Sequence, residues 1–201
     1  ILAETPAPDD DFADRLKDYM RVFHLGSPPD YEQSPENSIG ARAKREGVDP
    51  QSIAYDDMLE DGGKAMLYMP ALNYVDGSLE VLRQMMESPQ AVPGLSDGGA
   101  HCGLICDASF PTFLLTHWAR DRAVKKPGTE PIPVEYIVKR QAADTAKLVG
   151  FDDRGVLAPG MKADVNVIDF DGLNLEVPEM RYDLPAGGKR LVQKARGYRY
   201  T

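Results

Sequence analysis

The stretch Ser96-Asp97-Gly98-Gly99-Ala100-His101 brings a hydroxyl, a carboxylate and an imidazole close together in the chain. A carboxylate can accept a proton, and an imidazole titrates near neutral pH. Gly98 and Gly99 let the backbone turn sharply with no Cβ in the way. The short apolar run 91–95 before them reads as a buried strand that stops and leaves Asp97 at its mouth. His101, four residues on, can face the same pocket. A tight turn in which Asp97 only caps the next element fits the same pattern, so local sequence leaves both readings open. Cys102 and Cys106 follow. With His101 they could bind a metal, but buried structural thiols are the simpler account. Asp107 and Ser109 can line the pocket mouth, or Ser109 can serve as a helix N-cap. Asn73 and Tyr74 follow an apolar segment and can face the same rim, or form a loop turn. His117 lies among apolar residues at helical spacing, as a core or surface histidine does. His24 is expected at a helix C-terminus, facing the dipole.

The elements that would position these residues can be read from periodicity and punctuation. Asp9–Asp11 with Phe12, Leu16, Tyr19, Met20 and Phe23 predicts an amphipathic helix. Gly26-Ser27-Pro28-Pro29 ends it, and a loop follows. Ser38 then caps a short helix over 39–46, closed by Gly47. Asp49-Pro50 opens another, with Ile53, Ala54, Met58 and Leu59 as its apolar face and Gly62-Gly63 at its end. The run 64–70, Lys-Ala-Met-Leu-Tyr-Met-Pro, predicts a strand buried on both faces. With a helix over 77–87 and the strand ending at Asp97, it would complete a βαβ unit of a parallel sheet. Helices are expected over 110–123 and 134–149. From residue 151 glycine and proline punctuation predicts short strands, including one over 163–169.

Composition narrows the function classes. The 201 residues and 42% hydrophobic content suit a globular chain with a core. A net charge of −9 argues against nucleic acid as a partner. No apolar run approaches a membrane span and no signal peptide is evident, so a cytoplasmic protein is expected. Two cysteines do not make a disulfide framework. The chain opens on Ile1 and ends on Gly197-Tyr198-Arg199-Tyr200-Thr201, like a strand stopped midway, so a fragment is expected.

The order of the pieces is similar to a known pattern. A segment ending in Ser-Asp-Gly is followed by the helix over 134–149. Then comes Asp153-Arg154-Gly155-Val156-Leu157-Ala158-Pro159-Gly160-Met161-Lys162-Ala163-Asp164, with the apolar run to Asp169 behind it. This resembles the end of the amidohydrolase superfamily. Phe110-Pro111-Thr112-Phe113 and the two helices over 38–62 are most similar to the N-acyl-D-amino-acid deacylase branch. The resemblance covers most of residues 38–170.

What it implies is an α/β fold. Residues 1–150 would be the C-terminal portion of a (β/α)8 barrel with a helical insert near 38–62, and 151–201 part of a small appended β domain. It implies a zinc-dependent hydrolase of linear amides, with Asp97 as metal ligand and catalytic base, and with Ser96, Gly98, His101 and Asn73 facing a small-molecule substrate. A cyclic-amide hydrolase and a non-catalytic module of the same fold are the alternatives. Asp164 and Arg154-Gly155 are expected to be structural. The sequence departs from the family in one respect. It holds three histidines, His24, His101 and His117, and no His-x-His pair. A zinc site takes three or more protein ligands, so the other ligands are expected from a missing N-terminal part of the barrel. Unpaired barrel edges would favour association into an oligomer.

Overall fold

The computed structural model describes residues 17–94, 96, 98 and 102–201. They fall into two compact units, one ending at Met85 and one beginning at Met86. No helix among the described residues is long and apolar enough to cross a membrane.

In the first unit the chain enters through a 3-10 turn, Tyr19–Arg21, and then β1, Phe23–His24. The amphipathic helix expected here is therefore absent over the described residues 17–24. Phe23 pairs with Tyr68 and His24 with Leu67, across to an antiparallel β2, Leu67–Tyr68. Phe23, counted in the expected helical stripe, sits in β1 instead, its ring meeting Tyr74 edge-on at 5.9 Å, and nearby Tyr31 meets Tyr68 edge-on at 5.3 Å. His24 is thus a strand residue, not a helix C-terminal one, and its Nε2 lies 3.8 Å from the Glu60 carboxylate. The strand expected over 64–70 shrinks to two half-buried residues, because its partner offers only two.

The helices α1, Ile39–Glu46, and α2, Pro50–Gly63, form where capping chemistry predicts them. The Ser38 hydroxyl accepts the Ala41 N–H at 3.1 Å, and Gly47 closes α1 in the left-handed conformation with its N–H on the Ala43 carbonyl. The Asp49 carboxylate accepts the Gln51 N–H at 2.7 Å, and Pro50 fits the first turn. Val22, Ile39, Ala43, Ile53 and Ala54 make the core, with Tyr19, Leu67 and Met69 at its edge. Met58 and Leu59, expected on the apolar face of α2, are exposed. The buried position one turn along is Asp57, whose side chain is 4% exposed. Arg42 of α1 grips it through two hydrogen bonds of 2.5 and 2.9 Å. That pairing holds the Arg42 guanidinium even more firmly in its charged form. α3, Glu80–Glu87, begins three residues later than expected. The Glu32 carboxylate stands over its start, accepting the Leu79 N–H at 3.0 Å and the Ser78 hydroxyl at 3.3 Å.

The second unit is built on two long helical rods. α4, Phe110–Phe113, runs through π-helical turns over Leu114–Asp121 into α5, Arg122–Lys125. α6, Val134–Lys139, likewise passes through Arg140–Asp144 into α7, Thr145–Leu148. Both agree with the expected helices. Leu114, Leu115, Trp118, Ile132, Ile137 and Ala146 are buried, and the Ile132 N–H donates to the Trp118 carbonyl at 2.8 Å. The Gln141 amide ties the rods together by donating to the Pro111 carbonyl. The chain then forms short antiparallel pairs: β3, Val167–Ile168; β4, Asn174–Leu175; β5, Glu179–Arg181; β6, Arg190–Val192; β7, Ala195–Arg196; and β8, Tyr198–Tyr200. β3 pairs with β8, β4 with β7 and β5 with β6. Residue 150, the expected boundary, lies inside this unit.

Two expectations fail here. Residues 91–94 and 96 form no strand. Pro93 has no N–H to give a ladder, and it lines a small cavity with Met86, Leu114, Ile132, Tyr136 and Ile137 instead. With β2 paired antiparallel to β1, the expected βαβ unit does not exist among the described residues. Their strand pairs are all antiparallel, and a barrel is not seen in them.

These contacts predict stability changes. Ser38→Ala should lower the unfolding free energy by about 1 kcal/mol through loss of the cap. Asp57→Ala should cost about 2 kcal/mol, because it strands a partly buried guanidinium. Urea unfolding of both variants, with unchanged helical circular dichroism at zero denaturant, is the check.

Candidate functional site

Asp97 and His101, the residues on which the chemistry was placed, lie outside the described residues. Their neighbours are described. Ser96 is half-buried and Gly98 is exposed, both in irregular backbone. A Cβ built on Gly98 would stand 3.0 Å from the Ala108 Cβ. The chain on the two sides of the turn is therefore in contact at Gly98 and Ala108.

The segment between them is described from Cys102 onward. Cys102 is buried, Cys106 is half-buried, and no disulfide joins them. Burial pushes the Cys106 thiol up from its ordinary range, and the Asp107 carboxylate and Cys102 push it further in the same direction. The raised pKa favours the protonated thiol, as in a buried structural cysteine rather than an activated nucleophile.

Ser109 occupies the position before α4 but makes no capping hydrogen bond. Its hydroxyl instead reaches the Gln193 side-chain carbonyl at 2.5 Å. One turn into the helix, the Thr112 hydroxyl lies 2.8 Å from the Tyr198 hydroxyl. His117 is buried, stacked on Phe113 at 4.6 Å and edge-on to Trp118 at 5.0 Å. It is a core histidine, as its spacing suggested.

Asn73 belongs to the first unit. It is exposed and sits in the left-handed region at φ 61°, which favours the loop-turn account. Its neighbour Tyr74 turns inward, its hydroxyl donating to the Gln33 carbonyl.

The Arg-Gly and Ala-Asp elements that carried the resemblance form a scaffold. Arg154 binds the Asp153 carboxylate at 2.8 Å, approaches Asp164 at 3.9 Å and lies over the Phe151 ring at 4.8 Å. Lys162 pairs with Asp164 at 3.1 Å, and its N–H donates to the Asp153 carbonyl at 2.6 Å. Gly155 passes over the second rod with φ 89°, where a Cβ would stand 2.9 Å from the Ala142 carbonyl and 3.0 Å from the Ala143 Cα. Gly155→Ala should therefore destabilise the chain by about 2 kcal/mol through left-handed strain and that clash. A thermal melt shifted by less than the error of the measurement would refute the packing.

Among the described residues no group of three or more His, Cys, Asp or Glu side chains could hold a metal ion. The donor set described does not fit the expected zinc. Local sequence reasoning missed the polar partners Gln193, just after β6, and Tyr198, in β8, about 85 residues downstream of the residues they bind. No local pattern announces such pairings.

Comparison with curated proteins and with solved structures finds no match. The amidohydrolase family matches residues 27–201, which include the Ser-Asp-Gly turn, both rods and the whole β segment. The chain belongs to the amidohydrolase family.

Proposed function

We propose that this chain is the C-terminal portion of a metal-dependent amidohydrolase that cleaves a linear amide, an N-acyl-D-amino acid, in the cytoplasm. The observation that carries the amidohydrolase part of the reading is the family match over 27–201; the substrate follows from the resemblance of Phe110-Pro111-Thr112-Phe113 and residues 38–62 to the deacylase branch. Within it, Ser96-Asp97-Gly98 precedes the helical rods and the Arg154–Asp164 scaffold in the order the resemblance requires. Asp97 matches the acid that ends the last barrel strand in that family. In this reading Asp97 is a metal ligand and also takes a proton from the attacking water and returns it to the leaving amine. In this reading Ser96, Gly98 and His101 line its surroundings.

The sequence offers too few histidines for the family's metal centre. The remaining ligands would come from residues outside these 201, an N-terminal part of the barrel. A bound zinc would polarise the scissile carbonyl and acidify water; the described donors do not supply that site by themselves, so no step is assigned to it here.

The test is hydrolysis of N-acetyl-D-amino acids, N-acetyl-L-amino acids and cyclic imides by the enzyme holding this chain, with metal content measured in parallel. Turnover of the D-series is expected. Asp97→Asn should lower kcat by about 10^3-fold with metal largely retained. An Asp97→Asn variant as active as the parent would overturn the catalytic reading. Preferential turnover of cyclic imides would move the substrate to that class.

A further inference from the structure

Helix α2 departs from ordinary surface chemistry on its solvent side. Its inner side is made by the buried residues Ile53, Ala54 and Asp57. Tyr55, Met58 and Leu59 run along the other side, three and four residues apart and so neighbours on one face. They are 45%, 44% and 54% exposed. A surface helix ordinarily places polar residues there. The helix also carries four carboxylates, Asp56, Asp57, Glu60 and Asp61, and no lysine or arginine. Asp57 is bound by Arg42. The exposed three are answered weakly: Glu60 lies 3.8 Å from His24, and Asp56 and Asp61 form no salt bridge among the described residues. In the second unit, by contrast, Arg120 binds Asp121, Lys139 and Arg140 bind Asp144, and Arg190 binds Asp183. The acids of α2 also sit toward its C-terminal end, where the dipole is negative and favours cations. Regular helical geometry ends at Leu59, because Glu60, Asp61 and Gly62 leave it, Asp61 with φ 50°. Met58 and Leu59 therefore stand at an end that is doubly negative.

We propose that the solvent face of α2 docks a basic amphipathic helix of a partner protein, with the partner's apolar stripe on Tyr55, Met58 and Leu59 and its lysines or arginines on Asp56, Glu60 and Asp61. Charge complementarity selects this occupant. Such a helix covers the apolar stripe and neutralises the carboxylates and the dipole in one contact. A second copy of this chain, meeting the face isologously, would set the same carboxylates against one another. An anionic lipid surface is repelled by them. A helix suits the face better than a strand does, because the backbone groups of α2 are bonded within it and offer no ladder edge, while the Tyr55–Leu59 ridge at four-residue spacing packs against a second helix. A contact of this size makes a transient, salt-sensitive complex. The inference is independent of the role given to Asp97.

Fluorescence anisotropy with labelled peptides tests the surface on the whole protein. The probe is a helical leucine/lysine peptide of about 20 residues, its leucines on one face and its lysines flanking them. A leucine/glutamate counterpart and a scrambled leucine/lysine peptide of the same composition are the controls. The ordered leucine/lysine peptide should bind roughly tenfold more tightly than either. Met58→Ser with Leu59→Ser leaves the net charge unchanged and should weaken binding about tenfold, as the loss of anchoring side chains does. Asp56→Asn with Asp61→Asn should weaken it about as much at low salt and flatten the salt dependence; asparagine also tolerates the left-handed geometry of residue 61. Asp152→Asn with Asp171→Asn removes the same charge from exposed positions of the second unit and should bind as the parent does. All these side chains lie outside the core of Val22, Ile39 and Ile53, so a parent-like urea midpoint reports an intact fold. Equal binding of the ordered and scrambled peptides overturns the docking surface, and so does parent-like binding by either the serine pair or the Asp56 and Asp61 pair. Sedimentation showing a dimer that the serine pair dissolves would give the face to a second copy, and binding to phosphatidylcholine vesicles that the serine pair abolishes would give it to a membrane. Either result overturns the basic partner.

Discussion

The guanidinium of Arg120 gathers the backbone carbonyls of Phe170, Asp171 and Leu173, at 2.5, 3.1 and 2.8 Å. Those carbonyls lie where the chain turns from β3 toward β4, outside its strands. Such groups need partners once covered, and one planar five-donor side chain can serve several at once. Asp121 holds the fork in place from the same rod and keeps it firmly charged. Arg120 also lies over the Phe170 ring. The contact sets Leu173, fully buried, and Leu175 against the helical layer. The rest of the β segment hangs from this staple: the pairings of β4 with β7 and β3 with β8, and the β5–β6 pair whose Leu191 and neighbouring Gln193 reach the loop after the Ser-Asp-Gly turn.

Seen this way, the family's C-terminal signature is architectural. Arg154, Asp153, Lys162 and Asp164 are substantially exposed, so each ion pair adds little by itself. What they do is hold a turn whose Gly155 must pass close to the second rod. The turn starts where Gly150 ends the rod and the Phe151 N–H returns to the Ala146 carbonyl. Asp169, just after β3, is kept ionised first by the Gly172 N–H and then by Arg199. It therefore ties the β3–β4 turn to β8.

How legible this was differs by element. Ser38, Gly47, Asp49 and Pro50 declared α1 and α2 because caps act within four residues of themselves. The rods over 110–125 and 134–148 were legible from apolar periodicity and their glycine and proline limits. The stretch over 17–24 has the helical spacing of Tyr19, Met20 and Phe23 but forms β1 instead: Met20 stays exposed, and Phe23 is buried against Tyr68 and Tyr74, whose approach no window of local sequence contains. The run 91–94 is apolar enough for a strand but forms none: Pro93 denies it a ladder and lines a small cavity with Tyr136 and Ile137. Ser109 was legible as a polar residue before a helix, but not as a partner of Gln193.

Sequence alone determined the local switches of this protein and its family. Caps, turns, helical periodicity and the Arg-Gly to Ala-Asp signature all act through neighbours in the chain, so their residue types suffice. Tertiary structure alone decided which short segments pair as strands, where Asp57 is buried, and which distant side chains hold the loop beside Gly98. Those outcomes depend on pairings between groups 9 to 86 residues apart. Donors and acceptors of that kind are common throughout the sequence, and only folding selects the pairs that meet.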